Sequence, residues 1–150
     1  MGEMKKACII NTYIKRYWNL MLLSYQQEEI SVSELKLAFS ESLEYLKLSN
    51  IIGHITGKED FLIGTRKALL FYELFQTAIE HHLESMRAVL MSVNEKSDIF
   101  SLNMQIDMPQ KSSLAEALSE KLTQEPDFSY KEAIEEDTLY LEFSVVRGAK

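Results

Sequence analysis

The sequence predicts an α+β fold: an N-terminal antiparallel helical hairpin, then a two-layer α/β sandwich with a mostly antiparallel sheet and helices on one face. Three observations predict it. From about Met4 to Gln27, Ile10, Ile14, Tyr17 and Met21 recur at three- and four-residue steps, the helical period. After the short loop "QQEEI" a second helical stripe follows, and two long helices so closely joined fold back on one another. Further on, "IFSLNMQIDM" and "LYLEFSVV" alternate in period two, the pattern of half-buried strands.

In order along the chain, Trp18, Leu20, Leu22 and Leu23 widen the apolar surface of the first helix beyond what one partner helix covers. The second helix opens at "SVSE", where Ser31 is an N-cap with Glu34 three residues on, a capping box. Its stripe is Leu35, Phe39, Leu43 and Leu46. "IIGHI" reads as a short strand with Gly53 and Gly57 marking bends. A third helix spans about Thr65 to Glu84, and "MRAVLMSV" is a strand. "NEKSD" is a turn, and Pro109 ends the strand after it. "SSLAEALSEKL" is a short helix capped by Ser112 or Ser113, and "FSYKEAI", "EEDT" and "LYLEFSVV" form a hairpin. The expected domains are residues 1–49, the hairpin, and 50–150, the α/β layer.

Composition removes several functions. A net charge of -7 argues against a nucleic-acid partner and against docking on an anionic membrane. The lone Cys8 forbids an internal disulfide and a cysteine-rich zinc site, and fits a reducing compartment. No apolar run is long enough to span a bilayer, and "ACII" is too short for the core of a secretion signal. The abrupt start of the helical pattern suits a segment of a larger protein. No glycine lies between Gly64 and Gly148, so no phosphate-cradling glycine loop exists there.

"ELFQTAIEH" within the third helix carries the one motif-like pattern. It resembles the N-box of sensor histidine kinases, roughly E-x-x-x-N-A-x-K-H, with Glu73, Ala78 and His81 at matching places. Thr77 stands where that family has its magnesium-binding asparagine, and Glu80 where it has lysine. The order of elements is similar to the cytoplasmic core of that family: a dimerising helical hairpin, then an ATP-binding domain of the GHKL (HATPase) type. The family's glycine-containing adenine and lid motifs are missing here. Its phosphoacceptor pattern H-D-x-x-G-x-x-L-L can be laid on "KRYWNLMLL", where Leu22 and Leu23 match. Lys15 and Arg16 replace the histidine and aspartate, and Asn19 the glycine. The resemblance therefore implies a signalling domain that is degenerate in its catalytic parts. It retains a remnant N-box of Glu73, Thr77 and His81, with Glu73 in the place of the general base. The alternatives are a residually active ATP-binding kinase domain and a stand-alone regulatory interaction protein. No cofactor is expected beyond weak Mg-ATP.

Each residue also has a plainer role. A helix on a sheet needs a stripe such as Tyr72, Phe75, Ile79 and Leu83 in any fold, which leaves Glu73, Thr77, Glu80 and His81 as its solvated face. His81 or His82 with Glu84 offers at most two metal ligands where catalytic zinc takes three, so no metal site is expected. His54 suits a turn or core position, Cys8 a half-buried structural thiol, and the acidic residues of the C-terminal half a solvated surface. On the first helix, Ile14, Tyr17 and Met21 form one stripe and Trp18, Leu22 and Tyr25 another. A hairpin buries one stripe, so these residues are the expected interface of a homodimer, with the chain's own α/β layer as the other occupant. The remaining expectations are a signalling-protein partner, no membrane contact by this segment, and a cytoplasmic location, conceivably as part of a membrane-bound sensor.

Overall fold

The computed structural model describes residues 3–57, 60–109, 114–125 and 127–146. Gly2, Gly148 and the expected caps Ser112 and Ser113 lie outside them. Helix α1 (Glu3–Gln26) leads into strand β1 (Glu29–Ser31), helix α2 (Val32–Leu46) and a short 3-10 turn (Lys47–Ser49). Strands β2 (Ile52–Thr56) and β3 (Leu62–Gly64) precede helix α3 (Thr65–His82). Then come β4 (Ala88–Lys96), β5 (Ile99–Asp107), helix α4 (Ala115–Gln124), β6 (Phe128–Glu135) and β7 (Thr138–Val146).

The main sheet has the order β2-β4-β5-β7-β6. Only the β2–β4 pair is parallel, because α3 carries the chain across from one strand to the other. Period-two alternation decides which side is inside: Met91, Phe100, Leu102, Met104, Ile106, Leu139, Leu141 and Phe143 are buried against the helices. The other sheet face carries Leu90, Gln105 and Tyr140 in one cross-strand row. A shallow depression of about 210 Å³ lies there, lined by Ile52, His54, Leu90 and Asp107 among others.

Ser31 caps α2 as expected, its Oγ accepting from Ser33 N at 3.1 Å. Asp60 completes the cap by accepting from Ser31 Oγ at 2.6 Å and from Ser33 N at 3.2 Å. These hydrogen bonds, that from Ser31 above all, hold the Asp60 carboxyl below its usual range.

Three local expectations are corrected. "QQEEI" is not all loop, since Glu29–Ser31 pairs antiparallel with Leu62–Gly64. Three-residue strands are too short to show a period. "NEKSD" is not all turn: β4 runs on to Lys96, and only Ser97 and Asp98, with φ of 53° and 66°, make the two-residue hairpin turn. Gly53 is not a bend but a contact point inside β2, where a Cβ would lie 2.8 Å from Leu43 Cδ2 as α2 crosses the strand. Gly57 does bend the chain, at φ +140°.

The hairpin is present, with a difference. Arg16 pairs with Glu41, and these two sit about equally far from the α1–α2 connection, which makes the helices antiparallel. Helix α1 also lies on α3, where the rings of Tyr13 and Tyr72 are 5.4 Å apart. Its buried face is Ile9 and Leu20, with Tyr13, Tyr17 and Leu23 packed at the edge, not the stripe headed by Ile10 and Ile14. The two stripes read from the sequence lie about 75° apart around the helix: Trp18, Leu22 and Tyr25 face outward with Ile14, while Tyr17 and Met21 stand at the half-buried edge.

Candidate functional site

Helix α3 is deeply enclosed between the sheet and the other helices. Ten of its eighteen residues are buried, including Phe71, Tyr72, Phe75, Gln76, Ile79 and His82. The residues left outside are Arg66, Lys67, Leu69, Leu70, Glu73, Thr77, Glu80 and His81. The expected grouping of Glu73, Thr77, Glu80 and His81 on one side is therefore present. Their setting is not simply solvated, because Glu73 and Thr77 are half-buried while Glu80 and His81 are exposed.

Glu73 is held by two other helices. Lys121 Nζ of α4 is 3.9 Å from its Oε2, and the Tyr17 phenol of α1 stands close enough to feel its charge. Burial, followed by the Glu73 charge, raises the pKa of Tyr13, and the same two causes raise that of Tyr17, so both phenols stay protonated. Thr77 Oγ1 donates to the Glu73 carbonyl at 2.9 Å, the back-bond of a helical threonine. His81 stacks edge-on against His82, with ring centroids 4.8 Å apart. Among the described residues no three of His, Cys, Asp and Glu converge as a metal site.

Beneath this stripe lie buried polar groups, of which Ser42 and Gln76 were not singled out in the sequence. The Tyr72 hydroxyl is 2.8 Å from Ser42 Oγ, linking α3 to α2, and burial pushes its pKa up to about 12. Gln76 and His82 are each 2% exposed, and their Nε2 atoms have no protein partner. Periodicity counted Tyr72 as core and passed over Gln76, since a single polar residue inside a stripe looks like noise.

Of the replacement pair, Lys15 is exposed and Arg16 points inward to Glu41. The residues expected at an interface divide by depth. Ile14, Trp18, Leu22 and Tyr25 are exposed, at 56%, 57%, 44% and 81%, whereas Tyr17 and Met21 are half-buried. Cys8 is partly buried, and His54 is exposed at the rim of the sheet depression.

No protein-family model and no curated protein matches the chain. Solved structures do. The histidine kinase AdeS of Acinetobacter baumannii superposes with TM-score 0.63 at 10% identity, covering 90% of this chain and 77% of that one. The fold is that of a histidine kinase catalytic domain. The histidine kinase domain of the blue-light-activated kinase of Erythrobacter litoralis gives TM-score 0.65 at 10% identity over 90% of this chain and 75% of that one. The catalytic domain of the histidine kinase ThkA gives 0.61 at 10% identity over 79% of this chain and 95% of its own length. A longer ThkA chain, solved in complex with the response regulator TrrA, gives 0.55 at 10% identity over 96% of this chain and 49% of that one. At such identities the likeness carries the fold, and the chemistry has to be argued from side chains.

Proposed function

We propose that this chain is a cytoplasmic signalling domain of the sensor-histidine-kinase type, degenerate in catalysis, that works by forming a homodimer and contacting a signalling protein. One observation carries the proposal furthest. Ile14, Trp18, Leu22 and Tyr25 follow steps of four, four and three along α1, all exposed, on the face opposite Ile9 and Leu20. A surface helix with an exposed apolar stripe on the side away from its own core has an unmet partner. Leu37 and Tyr45 of α2 and Leu48 of the 3-10 turn after it are also exposed, at 54%, 42% and 46%, so both arms of the hairpin offer apolar surface. A second copy of the hairpin is the occupant of choice, because α1 carries Lys15 beside its stripe while the exposed side of α2 carries Glu44.

Degeneracy is supported by the state of the N-box positions. The carboxylate standing for the general base is engaged by Tyr17 and Lys121. The hydroxyl standing for the magnesium ligand is turned onto the helix backbone. Lys15 and Arg16 occupy the phosphoacceptor place, and lysine does not serve in that phosphorelay. A protein partner is supported by the fold's occurrence in a kinase complexed with its response regulator.

The test is Leu22→Glu. A charge in the stripe dissociates the dimer and leaves the far-ultraviolet circular dichroism and thermal transition of the α/β layer in place. Retention of the dimer by this variant, with its fold intact, moves the interface elsewhere.

A further inference from the structure

We propose that α1 is a closable cap on α3: it lifts off as a unit while the rest of the chain stays folded, and its lifting bares the Tyr72–Gln76–Glu73 face. The inward side of α1 is unusually polar for a packed helix. Among its described residues only Ile9 and Leu20 are buried apolar side chains. By contrast α2 buries Val32, Leu35, Ala38, Phe39, Leu43 and Leu46. What fastens α1 is the Arg16–Glu41 ion pair, the Tyr17 phenol beside the Glu73 charge, the ring contacts of Tyr13 with Tyr17 and Tyr72, and the edge packing of Leu23. Water can replace each of the two polar contacts when the helix leaves.

The seam also contains groups that gain from opening. Gln76 lies one turn beyond Tyr72 on the same side of α3, buried, with Nε2 lacking a partner, and Arg16 Nε is likewise buried and unpartnered. Two donors that regain water on lifting lower the free energy of the open state. Segments with few buried apolar contacts are the ones that open below the global unfolding free energy. Any molecule that binds at Glu73 does so in proportion to the open fraction, so the cap sets its apparent affinity. The outward stripe of α1 takes no part, and the proposal holds for monomer and dimer alike.

Thiol labelling in low urea tests it. In a Cys8→Ser background, Gln76→Cys and Leu20→Cys report the two sides of the seam, and Val93→Cys reports the sheet core. Ellman's reagent is expected to react at 76 and 20 at matching rates that hardly change with urea, at least about tenfold faster than at 93 in water. Adding Ile106→Val, remote from α1, speeds labelling at 93 by about fivefold and leaves 76 and 20 unmoved. If Gln76→Cys does not fold, Leu20→Cys carries the same comparison. Equal acceleration at all three sites, or a shared steep urea slope, means that α1 leaves only on global unfolding and overturns the proposal.

Discussion

Lys121 Nζ of α4 stands 3.9 Å from Glu73 Oε2 of α3, and the Tyr17 phenol of α1 lies within reach of the same carboxylate's charge. Glu73, which the N-box resemblance would make a general base, thus faces two neighbouring helices. On the proposed reading, in which Lys15 and Arg16 stand at the phosphoacceptor place, incubation with labelled ATP and magnesium is expected to leave the protein unlabelled. Acid-labile label on His54, His81 or His82 would contradict this. Mg-ATP binding is expected at a dissociation constant on the order of a millimolar or weaker, about 4 kcal/mol, so low-millimolar nucleotide raises the melting temperature by no more than about 3 °C. A clear upward shift that disappears in Glu73→Ala would show a working site.

Tyr72 and Ser42 give a second prediction. Their hydroxyls are 2.8 Å apart in the core, so each single change strands the other group. Tyr72→Phe and Ser42→Ala are each expected to destabilise by about 1–2 kcal/mol in urea unfolding. The double variant recovers part of the loss, because no orphan remains. Strict additivity would mean that the two hydroxyls do not depend on one another.

The two tight glycines differ in kind. At Gly57 a Cβ would meet the Val93 carbonyl oxygen at 2.8 Å on a backbone with φ +140°, and neither can give way cheaply. Gly57→Ala is expected to destabilise by about 2–3 kcal/mol. At Gly53 the obstacle is the Leu43 side chain, which can shift in part, and Gly53→Ala is expected to destabilise by about 1–2 kcal/mol. Equal midpoints for the two variants in urea would contradict the distinction.

His82 makes stability depend on pH. Burial, with the neighbouring His81 as a lesser cause and Glu132 opposing, lowers its pKa from 6.5 to about 4. In the unfolded chain the imidazole takes its proton near 6.5, so between that value and about 4 the unfolded state holds more protons. The stability from neutral His82 is whole above about pH 6.5, declines as pH falls toward 4, and is lost below it. The full difference is up to about 3 kcal/mol. Comparing melting temperatures of the wild type and His82→Leu across that range isolates it, and parallel curves would refute it.

Much of this was legible before any coordinates. Regular spacing over many residues revealed the four helices and the long strands β4, β5, β6 and β7, because burying one face forces that spacing. What escaped was local or relational. Strands β1 and β3 are three residues each and have no period to read. The strand order, with β2 parallel to β4 at an edge, depends on pairing that no single segment encodes. The grouping of Glu73, Thr77, Glu80 and His81 was visible from helix geometry. Its covering by Tyr17 and Lys121 was not, because those residues lie on α1 and α4, far away in sequence. Likewise the outward run of Ile14, Trp18, Leu22 and Tyr25 was visible as apolar, but the inward role of Tyr13 and Arg16 was hidden by their polarity.

The measurement that bears most directly on the proposed function is the mass of the wild-type chain in solution. If its hairpin buries about 800 Å² per subunit, the interface is of standard size for a specific complex and persists at micromolar concentration. Multi-angle light scattering is then expected to report twice the 17.4 kDa chain mass. A single-chain mass throughout the micromolar range would contradict the homodimer and leave the α1 stripe without the partner proposed for it.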